Sequence, residues 1–245
     1  MARYVIMASP RRDEFYWALH GDTVNSLIKE NIGIFNLNIQ GLPYDMARNR
    51  LVEDALVRRE ALLLATPPIV VDGLFWVDDD VALPPDALMK LLSHNQPIVS
   101  GLYFSRRQPH TPQMYRLAEG YEDKYWPILD WPKGEVIEAD ACGFGCMWTS
   151  FEVLEAVQRK PGFKEWFKFD WPRGEDFYFC RAAKECGFEV LVDTSIRCGH
   201  MTNILVDETI FDVLRPRMVR LGDDGKPIDS VPSMPEEQIL RIEAQ

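Results

Sequence analysis

Apolar runs of strand length alternate with helical patterns through the first half of this chain, and that alternation constrains the fold most. Arg3 to Ala8 is an apolar run ended by Ser9-Pro10, which predicts a buried strand entering a loop. Gly33 to Ile39 alternates apolar and polar residues with a strand's period. Gly73 to Val77 and Pro97 to Tyr103 are further short hydrophobic strands. Between them, residues 13–30 read as a helix. Asp45 caps a long helix to about Ala65, whose Ala47, Leu51, Ala55 and Leu62 share one face. Pro84-Pro85-Asp86 opens another helix, to about Ser93. Strands separated by helices pair in parallel and are covered on both faces. The expected fold is therefore α/β, a single Rossmann-like domain with an α/β/α sandwich around a mostly parallel central sheet.

The second half is more embellished. Residues 104–133 form a long excursion with Tyr115, Tyr121, Tyr125, Trp126 and Trp131, and loops of that length usually serve function. Glu135 to Ala141 reads as a strand, Thr149 with Glu152 as a capping box, Gly174 to Cys186 as a helix stopped by Gly187, and Glu189 to Asp193 as a strand. No repeat or internal linker interrupts residues 1–221. Residues 222–245 are polar and Pro-rich and predict a loose tail.

The most informative local feature is Asp78-Asp79-Asp80, directly after the Gly73–Val77 strand. Three adjacent carboxylates at a buried strand's end repel one another, and a divalent cation relieves that repulsion most directly. Ligands of open α/β sheets also bind at the carboxyl ends of strands. If the stretch is extended, Asp78 and Asp80 face the same way and Asp79 the other. The competing reading is a solvated acidic turn before a helix.

The 245 residues carry a net charge of −11, which disfavours a broad duplex-binding face, although Arg106, Arg107 and Arg116 suggest a local basic strip. No apolar run is long enough to span a membrane, and the first residues do not read as a signal peptide. Five cysteines without a secretion signal read as reduced thiols in a cytoplasmic setting, a host's if the chain is viral. Cys142, Cys146, Cys198 and His200 do not have clean zinc spacing.

Several segments, taken in order, resemble the GT-A glycosyltransferases, especially family 2-like members and their small phage and prokaryotic representatives. They are Ala47-Arg48-Asn49, Phe75-Trp76-Val77-Asp78-Asp79-Asp80 (a DxD motif), Cys142-Gly143-Phe144-Gly145-Cys146, Gly174-Glu175-Asp176-Phe177-Tyr178-Phe179-Cys180 and Cys198-Gly199-His200. The resemblance spans about residues 3–201. It implies transfer of a sugar from a UDP- or GDP-sugar to an acceptor nucleophile, with Mn²⁺ or Mg²⁺ as cofactor. It further implies a metal shell from Asp78, Asp80 and His200, with Asp78 and Asp79 also on the nucleotide side. Arg48 then holds nucleotide or diphosphate. Ser9 and Pro10 flank the base, and Gly143 and Gly145 line the sugar site. Asp176 is the general base of an inverting reaction, and Glu175 its neighbour or an acceptor ligand.

These residue types suit the chemistry. A metal offsets charge on a departing diphosphate, an arginine contacts phosphate, and a carboxylate takes the acceptor's proton. The acceptor stays open among a glycan, a small metabolite, a protein and a modified DNA base, as does the oligomeric state. A nucleotidyltransferase would use a similar acidic site, but residues 7–13 lack the glycine such a phosphate loop needs. An inactive glycan- or nucleic-acid-binding module is the third reading. Glu175-Asp176 also suits an ordinary helix N-terminus, where acidic residues favour the dipole.

Overall fold

The structure, a computed structural model, describes residues 3–11, 16–170, 173–202, 205–214, 219–221 and 227–230. In chain order the elements are β1 (Arg3–Arg11), α1 (Tyr16–Lys29), β2 (Ile32–Gln40), α2 (Tyr44–Leu63), β3 (Val71–Val77), β4 (Val81–Ala82), α3 (Ala87–Ser93), β5 (Ile98–Leu102), β6 (Met114–Leu117), β7 (Tyr125–Pro127) and β8 (Val136–Ala139). There follow β9 (Ala141–Cys142), β10 (Cys146–Ser150), α4 (Phe151–Gln158), α5 (Glu175–Glu185), β11 (Val190–Arg197), β12 (Gly199–Met201), β13 (Leu205–Val206), α6 (Glu208–Leu214), β14 (Val219–Leu221) and β15 (Pro227–Ser230).

The central sheet has seven strands in the order β2-β1-β3-β10-β5-β11-β8. Strands β2, β1, β3, β5 and β11 run one way, and β10 and β8 run against them. The expected α/β sandwich is present, and strand alternation explains its two layers. Ile6, Ala8, Leu74 and Trp76 turn toward α2, α4 and α5, whose Leu51, Val52, Leu154 and Phe179 complete one core. Val5, Met7, Phe75 and Val77 turn the other way and meet Leu27 of α1 and Leu88 and Leu91 of α3. No helix among the described residues is long and apolar enough to cross a membrane.

Several local expectations are corrected. Ser9 and Pro10 do not follow the first strand; they lie within it, opposite Asn38 and Ile39 of β2. Pairing of β1 with β3 stops at Ala8–Trp76, so Pro10 has a strand edge beside it and its missing N–H is tolerated. Asp45 is in the first turn of α2 rather than at its cap, which is Pro43; its carboxylate instead accepts from Met46 N and Phe169 N. Thr149 belongs to β10, and Ser150 is the N-cap of α4, so no capping box forms.

The excursion is not a loop. Strands β7, β6 and β9 form a small antiparallel sheet, because Tyr115, Arg116 and Leu117 pair with Pro127, Trp126 and Tyr125. Trp131 packs on Phe104 and Phe211. Within the expected tail, Pro227–Ser230 pairs with Val219–Leu221. Residues 222–226 and 231–245 lie outside the described residues, as do residues 13–15 of the first expected helix.

Candidate active site

The site lies where β3, α2 and α5 meet at the carboxyl end of β3. The three aspartates are not extended. Val81 N donates to Asp78 O at 3.2 Å, closing a tight turn, and Asp78 N donates to Gly145 O at 3.3 Å. Asp78 Oδ1 accepts from Arg48 Nη2 at 2.8 Å, Asp79 is buried, and Asp80 Oδ2 accepts from Arg106 Nη1 at 2.6 Å, while the Asp78 charge is felt by both Asp80 and His200. The two carboxylates are held by different cations, Asp78 by Arg48 and Asp80 by Arg106.

Arg48 is the centre of the buried half. Its Nε donates to Glu175 Oε1 at 3.0 Å, so one guanidinium joins the acidic turn to the start of α5. The guanidinium lies near the rings of Phe144, Trp76 and Tyr44, at 5.2 to 5.8 Å from their centroids. Burial alone would lower its pKa, but the Asp78 and Glu175 carboxylates push it above its ordinary value. Burial holds the Asp78 carboxyl above the usual range despite Arg48. Arg48 is only 2% exposed, and its Nη1 is buried with no hydrogen-bond partner among the described residues. Arg48 is therefore first a bridge between carboxylates.

Asp176 sits one residue further into α5. Its Oδ1 accepts from its neighbour Phe177 N at 3.0 Å. Burial, then repulsion from Glu175, push its carboxyl up to about 7, with Arg48 pulling the other way. A carboxylate in that range suits proton transfer near neutrality.

Strand β12 pairs with β4 and sets His200 opposite Val81, beside Asp80. His200 Nδ1 is 2.7 Å from the Phe104 carbonyl, which can only accept, so Nδ1 carries the proton. Nε2 then faces Asp80 Oδ1 at 3.4 Å. A neutral imidazole would aim a lone pair at a carboxylate, so this arrangement calls for a proton or a cation between them. Burial alone would lower the His200 pKa, but Asp80 raises it above its ordinary value. Conversely, burial would raise Asp80, and His200 and Arg106 hold it below its usual range.

Asp80 and His200 fit a divalent cation. Neighbouring ligands of an ion at ~2.1 Å lie about 3 Å apart, close to the observed separation, and Mg²⁺-like ions commonly take one or two protein ligands and complete their shell with water and phosphate. No group of three His, Cys, Asp or Glu side chains suited to a metal occurs among the described residues. Asp78, whose charge also reaches His200, is paired with Arg48.

Gly143 and Gly145 are required by protein rather than by open space. A Cβ on Gly143 would collide with the Tyr103 hydroxyl, and one on Gly145 would meet Val81 at 2.7 Å and Tyr103 at 3.0 Å. Gly145 N donates to that hydroxyl at 3.1 Å. Ser9 is fully buried, with its hydroxyl unpaired among the described residues. The cysteines are free thiols, and Cys180 Sγ donates to the Cys142 carbonyl.

Sequence reading did not pair Arg106 with the acidic turn; its Nη1 lies 2.6 Å from Asp80 Oδ2, while Arg116 donates to Glu138 O. The signal was the placement of Ser105-Arg106 just past β5, which runs parallel to β3 and ends on the same side.

No protein-family model and no curated protein matches the chain. Among solved structures it is similar to the crystal structure of a glycosyltransferase involved in the glycosylation of the major capsid of PBCV-1, with 10% identity over 69% of this chain and 71% of that one and a TM-score of 0.35. A likeness of that degree assigns no role to any residue.

Proposed function

We propose that the chain is a metal-dependent glycosyltransferase that moves a sugar from a nucleoside-diphosphate sugar to an acceptor hydroxyl. One observation carries the reading. The buried Asp78–Arg48–Glu175 bridge ties the acidic turn to the start of α5, and the Asp78 charge acts on both His200 and Asp176, which supports one site shared by Asp80, His200 and Asp176.

Asp80 and His200 Nε2 would hold Mn²⁺ or Mg²⁺, which when bound supplies charge stabilisation for a departing diphosphate. Asp78, locked by Arg48, is poised for the nucleotide's ribose, with Asp79 behind it in the turn. Ser9 and Pro10 stand at the neighbouring strand end, on the side of the base. Gly143 and Gly145 let Tyr103 close on the segment beside the sugar. Asp176 takes the acceptor's proton as the acceptor oxygen bonds the anomeric carbon. The bond from that carbon to the diphosphate oxygen breaks, and its electron pair leaves with the nucleoside diphosphate. Glu175 stays paired with Arg48 and fixes the first turn of α5.

Calorimetry of UDP and GDP with Mn²⁺ tests the reading. Metal-dependent binding of one nucleotide is expected, and Asp80→Ala should abolish it. Undiminished binding in that variant refutes the assignment.

A further inference from the structure

Two adjoining clefts lie along the solvent side of α5. The narrower is a small recess of about 10 Å³, walled in part by Gly174, Arg173, Asp170 and Phe177. The wider has a volume of about 540 Å³ and is walled in part by Leu117, Asp140 and Lys184. Tyr125 and Arg181 line both, so the two form one groove.

The groove passes Gly174, the neighbour of the Asp176 carboxylate. A Cβ on Gly174 would meet Asp176 Oδ1 at 2.5 Å, so the glycine in the wall lies directly against that group. Aromatic rings run the same way. Phe177 lies between Tyr115 and Tyr125, with centroids 4.7 and 5.0 Å apart.

Charge in the walls narrows the ligand. Four carboxylates (Asp170, Glu122, Asp140, Glu185) face three cations (Arg173, Arg181, Lys184). Two of those cations are already engaged: Arg173 pairs with Asp123 at 2.6 Å and Lys184 with Asp140 at 2.6 Å. Arg181 makes no ion pair among the described residues and lies near the Tyr178 ring. A phosphodiester strand would meet more negative than positive charge here, and polyanion binding needs the reverse. Apolar ring faces interspersed with paired charges suit a ligand with an apolar face and many neutral hydroxyls.

We infer that this groove binds the acceptor, and that the acceptor is a neutral oligosaccharide whose terminal hydroxyl reaches Asp176. The inference rests on the transferase reading and specifies its acceptor. Tyr125 stacks against a sugar face, and Arg181 donates to hydroxyls. The wider cleft has room for more than one pyranose ring.

The test is saturation-transfer NMR on the full chain, with maltotriose, cellotriose, xylotriose and chitotriose at millimolar concentration. Single-stranded oligothymidylate and glucose 6-phosphate serve as contrasts. At least one trisaccharide should receive saturation. Tyr125→Ala and Arg181→Ala should each weaken its binding about two- to tenfold. Tyr125→Phe should retain binding, and all variants should melt as the parent does. Absence of transfer to all four trisaccharides overturns the inference, as does transfer to the oligonucleotide alone or binding indifferent to both alanine variants. Mn²⁺-dependent binding of UDP or GDP, measured on the same sample, separates the two readings. A nucleotide that binds without any trisaccharide refutes the acceptor class alone. A trisaccharide that binds without a nucleotide supports the groove's ligand class and refutes the transferase.

Discussion

Replacing Arg48 with Met removes one cation from between two carboxylates while nearly preserving side-chain volume. The wild-type guanidinium makes bonds of 2.8 and 3.0 Å, and its side chain is 3% exposed against 15% and 12% for Asp78 and Glu175. Breaking a buried pair by deleting one partner costs about 3–5 kcal/mol, because the remaining charge is left without compensation. In a chain of this size ~1 kcal/mol lowers Tm by about 2–4 °C, so a fall of about 6–20 °C is expected at pH 7. The loss should shrink as pH falls. Burial already raises the Asp78 pKa, and without Arg48 the folded state takes up that proton more readily, which removes the uncompensated charge. Differential scanning calorimetry from pH 5 to pH 8 reads both effects. The triple variant Arg48→Met/Asp78→Asn/Glu175→Gln carries none of the three charges and should recover most of the lost stability. A single variant that melts within about 2 °C of the parent refutes the reasoning. So does a triple variant that melts no higher than the single one.

Further perturbations test other parts of the site. Asp176→Asn should abolish transfer yet gain stability relative to the parent as pH rises from about 4 to 7. Over that window the native carboxyl, pushed up to about 7, keeps a proton the unfolded chain releases, so parent stability falls with pH. Parallel melting curves for the two proteins would sink that account. Transfer by the parent should rise with pH through about 7 in initial-rate assays, as expected of a base that must be ionised. Arg106→Ala should tighten Mn²⁺ binding about two- to fivefold by calorimetry, since a half-exposed ion pair with Asp80 is worth ~0.5–1 kcal/mol; unchanged or weaker binding contradicts competition for that carboxylate. Gly143→Ala should destabilise through its collision with the Tyr103 hydroxyl, by about 1–3 kcal/mol for overpacking, and Tyr103→Phe in the same chain should restore part of it in urea unfolding.

Much of the fold is legible because it is local. β1 and β3 are continuous apolar runs, as strands buried on both faces are, and the pleat divides Ile6 from Val5 and Trp76 from Phe75 between the two cores. The helical period of α2 identifies Leu51 and Ala55 as core residues. The acidic turn is visible as soon as the apolar run stops. The small sheet of β6, β7 and β9 is less legible, because its strands are only two to four residues long and their period is too brief to separate from a loop.

From residue order alone came the layered α/β architecture, the strand that ends in carboxylates, and the residue types suited to a cation, a phosphate and a proton. Which carboxylate answers to which cation was decided in three dimensions. Arg48 meets Asp78 across 30 positions and Glu175 across 127, while His200 reaches Asp80 only because β12 lies beside β4. Periodicity states which side of an element turns inward, but not which distant element waits there. That pairing depends on how sheets and helices close over a shared interior, and the charges it buries must then find one another.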